Sequence, residues 1–178
     1  INDEDSARGI NFHNIQLRRI FSRGLFSKGG RFYGGWWQRC PSEWRESIFI
    51  DNKPTSEIDY SGLHIVMLYA QQGIDYWAEV GADPYSIETP EFLDTEYETR
   101  DLAKRLLLIA LNARDDRSAF SAFRSQAEAG SDGKHLKNAQ LVQVLDGLRE
   151  KHPAIADSIA SDAGIDLMNM DSQITERI

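Results

Sequence analysis

Asp59 closes an apolar-alternating run, "SIFIDNKPTSEIDYS", where the chain passes into the helical-looking "GLHIVMLYAQQG". A carboxylate at that junction can cap the coming helix, a job Ser61 could also do. It can equally hold Mg²⁺, a hard cation that takes oxygen ligands and leaves room for substrate phosphates, with the Tyr60 carbonyl as a second oxygen. Spacing alone leaves both readings open. The second group is "RDLAKRLLLIALNA", where Arg100 and Lys104 stand at i, i+4 with Leu108 and Asn112 roughly in line. Such a pair is either a solvated basic stripe or a triphosphate clamp, arginine giving forked hydrogen bonds and lysine a point charge. The third is "GGRFYGGWWQ". Glycines around Arg31, Phe32, Tyr33, Trp36 and Trp37 would let the backbone approach a large ligand while rings stack on bases. The same residues would also make an aromatic hairpin packed on the core.

These residues need elements to position them. Apolar residues at Ile15, Leu17, Ile20, Phe21 and Leu25 are spaced for a short helix ending near Gly24. The Gly- and aromatic-rich stretch with Pro41 then reads as a hairpin or structured loop. Two strands, Ser47–Ile50 and Ser56–Tyr60, are expected about a turn at "DNKP". The helix after Asp59 should close with Gly73 in the C′ position. Asp94 or Thr95 can cap the helix carrying Arg100, with Leu102, Leu106, Ile109 and Leu111 as its apolar contacts. Helix is expected to continue to Gly130, and "GSDGKH" to break it. "KNAQLVQVLDGLREKHP" should stop at His152-Pro153, "AIADSIASDAG" should form a short helix ending at Gly164, and a last helix should follow. The class this predicts is α+β, helix-dominant, with a small antiparallel sheet from the first third.

The 178 residues suffice for one medium domain or two small ones. No apolar run approaches the roughly 20 residues that cross a bilayer, so no membrane partner is expected. Cys40 is the single cysteine, which excludes an internal disulfide and suits a reducing, cytoplasmic compartment. The net charge of −8 argues against a protein that coats nucleic acid indiscriminately. Charge is segregated, however. Arg18, Arg19, Arg23, Lys28, Arg31, Arg39 and Arg45 are opposed in their segment only by Glu43, whereas Asp75–Glu98 holds no Lys or Arg. A local basic surface stays open to an acidic partner.

The order "GGRFYGG", "WRESIFI", "EIDYSGLH", "DPYSI", "RDLAKR" resembles the polymerization core of family A DNA polymerases and single-subunit phage-type RNA polymerases. Asp59-Tyr60-Ser61 is similar to the metal-binding Asp-Tyr-Ser of the DNA enzymes. Ser61-Gly62 and the apolar Leu63 resemble the same motif in the RNA enzymes. Arg100 and Lys104 match the Arg-x-x-x-Lys of the fingers helix, and Arg105 the further basic residue of the RNA enzymes. Gly30-Arg31-Phe32-Tyr33 and Asp83-Pro84-Tyr85 match two more elements of the RNA group. The likeness covers about residues 29–113, and more loosely "GIDLMNMDSQI".

What this resemblance implies is template-directed nucleotidyl transfer with Mg²⁺. Asp59 and the Tyr60 carbonyl would ligate metal. Arg100, Lys104 and Asn112 would face the nucleoside triphosphate. Arg31, Tyr33, Arg45 and Arg105 would contact primer–template nucleic acid. His64, five residues after Asp59, stands where the DNA enzymes carry a Glu that blocks the ribose 2′-hydroxyl, so deoxynucleotides are favoured. The implied domains are an N-terminal helical region (1–28), a palm-like segment (29–75), a helical fingers-like segment (76–165) and the start of a helix returning to the palm (166–178). Two departures stand out. Asn112-Ala113 replaces the Tyr-Gly of the fingers helix, and no His-Asp pair supplies the second metal carboxylate. The chain starts at Ile1 with a polar stretch and stops at Ile178 without a helix-ending signal, so a fragment of a longer protein is expected. The alternative is a non-catalytic nucleic-acid-binding module that keeps the fold.

Overall fold

The computed structural model describes residues 10–177. Helix makes up 49% and strand 11%, so the helix-dominant α+β class holds. The chain forms two compact units: residues up to Ser61 with those from Asn169 onward, and Gly62–Met168. In the first lie β1 (Arg18–Ser22), β2 (Leu25–Tyr33), α1 (Ser42–Arg45), β3 (Phe49–Ile50) and β4 (Lys53–Pro54). The second holds α2 (Leu63–Gln71), α3 (Tyr76–Glu79), α4 (Glu96–Ala110), α5 (Asp116–Gln126) and α6 (Asn138–Lys151), and the division falls within α7 (Gly164–Thr175).

In the first unit β1 and β2 pair as an antiparallel hairpin, which corrects the expected helix before Gly24. Arg23 and Gly24 take φ values of 56° and 67°, the two positive angles of a tight hairpin turn. That turn, flanked by Ile20 and Phe21, outweighs the helical spacing of the apolar residues. Pairing slips on either side of Phe21, and Gly30 lies in the irregularity at φ 93°. A Cβ there would stand 2.9 Å from the Phe21 ring, so this glycine lets the strands close on each other rather than on a ligand. Carbonyls turned out of the ladder find other donors. Asn169 Nδ2 donates to the Phe26 and Gly29 oxygens, both at 3.0 Å, and Arg19 Nε donates to Gly30 O at 2.9 Å. Arg19 also reaches Ser172 Oγ (2.9 Å) and Glu176 (3.0 Å).

β2 carries the hairpin as far as Tyr33, and a structured loop with a 3₁₀ turn, Trp36–Arg39, then leads into α1. The expected strands Ser47–Ile50 and Ser56–Tyr60 shrink to β3 and β4, paired about Asp51-Asn52 at φ 49° and 60°. Thr55 makes the last bonds to Ile48 O, through N–H at 3.1 Å and Oγ1 at 2.9 Å. Residues 56–60 therefore run outside any strand, and Asp59 does not end one.

The second unit is a helical core. α2 ends as expected: Gly73 N–H donates to Ala70 O and Ile74 N–H to Tyr69 O, both at 3.0 Å, the paired bonds of a Schellman motif. Thr95 is the cap of α4, its Oγ1 accepting from Glu98 N–H at 3.1 Å. Leu102, Leu106, Leu107 and Leu111 are buried beside Leu141, Leu145 and Leu148 of α6, each side chain contributing about 1.5–3 kcal/mol. Ile109 is only half-buried. α5 is a separate helix, started by a reciprocal Asp115–Ser118 box and ending at Gln126 instead of Gly130.

α6 stops before His152-Pro153, as the sequence requires. The expected helix ending at Gly164 is replaced by a 3₁₀ turn, Pro153–Ser158, and Gly164 instead begins α7. The reason is the end of α4, whose last carbonyls outrun the intrahelical donors even though the Ala113 N–H reaches back to Ala110 O at 3.0 Å. N–H groups of Ala160, Asp162 and Gly164 donate to the oxygens of Ala110 (3.1 Å), Ala113 (2.8 Å) and Leu111 (2.7 Å). A segment giving its donors away cannot also be a helix.

Candidate functional site

The residues that converge lie in the second unit, around the segment Asp83-Pro84-Tyr85. Successive turns of α4 bring Arg100 and Lys104 to one face, and both cations rest over the buried Tyr85 ring. Arg100 Cζ is 5.6 Å and Lys104 Nζ 5.7 Å from its centroid. Arg100 Nε donates to Asp83 Oδ2 at 2.7 Å, and Asp83 Oδ1 accepts from Tyr85 N–H at 2.8 Å. Burial works against ionising Asp83, but the Tyr85 N–H and the Arg100 guanidinium together outweigh it and hold the carboxyl below its ordinary value. The Asp83 hydrogen bond raises the already high value of Arg100. Asp83 and Arg100 thus stay ionised together as a pair.

This segment is pinned from below. Tyr76 Oη donates to Ala82 O at 2.8 Å. Burial first, then the neighbouring charges of Tyr69, Asp83 and Tyr85, push the Tyr76 hydroxyl up to about 12, so it stays a donor. His152, fully buried, reaches Pro84 O through Nε2 at 2.8 Å and Tyr69 Oη through Nδ1 at 3.2 Å. A carbonyl can only accept, so Nε2 carries the proton and Nδ1 accepts from the Tyr69 hydroxyl. Gly62, at the start of α2, has φ 65°, and a Cβ on it would stand 2.8 Å from Pro84 Cγ. Only glycine fits there, for both conformation and space.

Asp59 is exposed and makes no hydrogen bond or ion pair among the described residues. The N-cap of α2 is Gly62, without a side-chain cap bond, so neither Asp59 nor Ser61 caps that helix. The capping alternative falls. Asp59 and the Tyr60 carbonyl are the two hard oxygen donors that the sequence offers to Mg²⁺, an ion that would bring phosphate and water ligands of its own. Among the described residues no group of three or more His, Cys, Asp or Glu is placed to hold a metal ion. One carboxylate does not suffice for a pair of bridged ions.

The remaining expected residues fall in several places. His64 is half-buried in the first turn of α2. Asn112 lies just past α4, its Nδ2 donating to Leu108 O at 2.8 Å, about 12 Å along the axis from Lys104. Arg105 leaves the Tyr85 group, pairing with Asp101 at 3.5 Å and lying 5.7 Å from the Phe123 ring centroid. In the first unit Arg31 pairs with Asp171 at 3.6 Å, and Arg45 with Glu57 at 3.1 Å. Tyr33 is exposed and lines a cleft of about 540 Å³ with His13, Arg18 and Arg39. Neither Arg18 nor Arg39 forms an ion pair among the described residues.

Sequence reasoning missed His152 and Tyr69 as supports. A signal existed: Leu141, Leu145, Leu148 and His152 recur at helical spacing, which places the imidazole on the core stripe of α6. Read only as a helix stop, His152 hid its second use. Among the described residues no helix is long and apolar enough to cross a membrane. Comparison with protein-family models, curated proteins and solved structures finds no match for this chain.

Proposed function

We propose that this chain is the palm-and-fingers part of a template-directed nucleotide polymerase, with DNA synthesis favoured over RNA synthesis. The observation that carries the reading is Tyr85 beneath both Arg100 and Lys104, with its neighbour Pro84 against Gly62. Three elements that the family likeness joins only by sequence order are thereby adjacent within one unit. Asp59 stands three residues before Gly62 in the sequence.

In this account Arg100 and Lys104 grip the triphosphate, and α4 orients its α-phosphate for in-line attack. Asp59 and the Tyr60 carbonyl are the chain's donors to Mg²⁺. The ion, when bound, neutralises phosphate charge and steadies the leaving pyrophosphate. His64 is the sugar gate. The test is titration of a deoxynucleoside triphosphate against the protein and its Lys104→Met variant. Loss of one charge-assisted contact, worth about 1.5–3 kcal/mol, should weaken binding by roughly 10- to 100-fold. Equal affinities would overturn the proposal.

A second reading, a non-catalytic nucleic-acid-binding module, is favoured by the cleft in the first unit with Arg18, Arg39 and Tyr33 on its walls. Guanidinium groups with no ion pair among the described residues, beside an exposed ring, suit a phosphodiester strand with stacking bases. It predicts that primer–template binds without any magnesium-dependent binding of nucleotide.

A further inference from the structure

We infer that His152 is a positioning residue for the cationic face of α4, acting through the Pro84 carbonyl. The inference rests on the proposed reading of that face as the triphosphate grip, and it concerns a residue that no part of the family likeness includes. The argument begins with the accounting of buried polar groups. A buried carbonyl without a donor costs about 1–3 kcal/mol, so the Pro84 oxygen must be answered from within the core. His152 Nε2 answers it at 2.8 Å. The imidazole is itself held, by the Tyr69 hydroxyl at Nδ1 (3.2 Å) and by ring contacts with Tyr69 and Tyr76 at centroid distances of 5.7 Å and 6.0 Å.

Pro84 lies between the two residues that Arg100 and Lys104 touch. Asp83 receives Arg100 Nε at 2.7 Å, and the Tyr85 ring lies under both cations. Fixing the Pro84 peptide therefore fixes the acid and the ring together. Two neighbouring ties limit what else could do this: Tyr76 holds the chain two residues before Pro84, at Ala82 O, and Gly62 meets the Pro84 ring on its apolar side. His152 alone among these ties donates to the Pro84 carbonyl itself. The Tyr69–His152–Pro84 chain thus links α2, the end of α6 and the Asp83–Tyr85 segment through one imidazole. Side-chain support of this kind sets the geometry of a binding group without touching the ligand.

The test compares His152→Leu and His152→Gln with the unaltered protein, using two readouts. The first is the titration of the Asp83 carboxyl by carbon NMR, which reports its contact with Arg100 and needs no ligand. The second is the dissociation constant for inorganic tripolyphosphate. In His152→Leu the Asp83 titration should move up toward the ordinary carboxylate range, and binding should weaken roughly two- to fivefold, the loss of a cation–ring contact. His152→Gln keeps an N–H for the Pro84 oxygen and should restore both. A folded His152→Leu with an unmoved Asp83 titration overturns the inference, as does a Gln variant that behaves like Leu. If Asp83 shifts and is rescued while the unaltered protein binds no tripolyphosphate, the positioning role stands and the phosphate reading of the face falls. Should His152→Leu fail to fold, Tyr69→Phe removes only the hydroxyl that holds Nδ1, and the same two outcomes are read from it.

Discussion

Arg100 and Asp83 tie α4 to the loop that supports it, Nε to Oδ2 at 2.7 Å. Both side chains are about two-fifths exposed, 41% and 39%, so solvent screens the pair and its value lies in orientation more than in stability. Arg100→Gln should let the Asp83 carboxyl titrate closer to its ordinary range while the Tyr85 N–H still keeps it somewhat low. Global stability should change by less than about 1 kcal/mol. Carbon NMR of the carboxyl and a denaturant melt check the two halves separately.

Gly62→Ala should be costly. It forces a Cβ into left-handed backbone at φ 65° and toward Pro84 Cγ. A non-glycine residue in that region costs roughly 1–2 kcal/mol before any collision is counted. Thermal melting should show the loss. Triphosphate affinity should fall with it, because the displaced neighbour is Pro84.

Stability should depend on pH through His152 before it does so through Asp83. Burial first, with Lys151 nearby, holds the imidazole below its ordinary value despite the Pro84 hydrogen bond. The unfolded chain then takes up the proton more readily, so this contribution is complete above about pH 6.5 and is lost as the pH falls toward the folded value. Asp83, held low, contributes above about pH 3.9 and is lost only as the pH falls through its folded value. Melting temperatures measured from pH 7.5 to 5 should decline less in His152→Gln than in the unaltered protein, whereas Asp83→Asn should follow the unaltered curve across that range.

Asn169→Ala should loosen the hairpin of the first unit. It removes both donors to Phe26 O and Gly29 O, one of them in a buried setting, at about 1–3 kcal/mol for each carbonyl left unanswered. Hydrogen exchange in β1 and β2 should quicken while that in α4 and α6 is unchanged.

Much of the second unit was legible in the sequence because its signals are local. Thr95, Gly73 and Pro153 mark helix ends by backbone chemistry, and the leucines of α4 and α6 recur at helical spacing. The first unit was harder. Its hairpin turn uses Arg23-Gly24, where arginine is no usual occupant of left-handed backbone, and its bulge depends on Asn169, which stands far along the chain. Segment 159–164 misled for a related reason: its donors are claimed by the end of α4, a tertiary demand that no local pattern announces. In the candidate site, spacing predicted that Arg100 and Lys104 share a face. It could not reveal the ring beneath them or the buried imidazole that steadies it.

The most direct measurement is the affinity of a deoxynucleoside triphosphate with and without Mg²⁺, for the unaltered protein and for Asp59→Asn. The account predicts that Mg²⁺ tightens binding to the unaltered protein, that Asp59→Asn abolishes this gain, and that metal-free binding through Arg100 and Lys104 survives in the variant. An affinity indifferent to Mg²⁺, or a gain that persists without the Asp59 carboxylate, would contradict it.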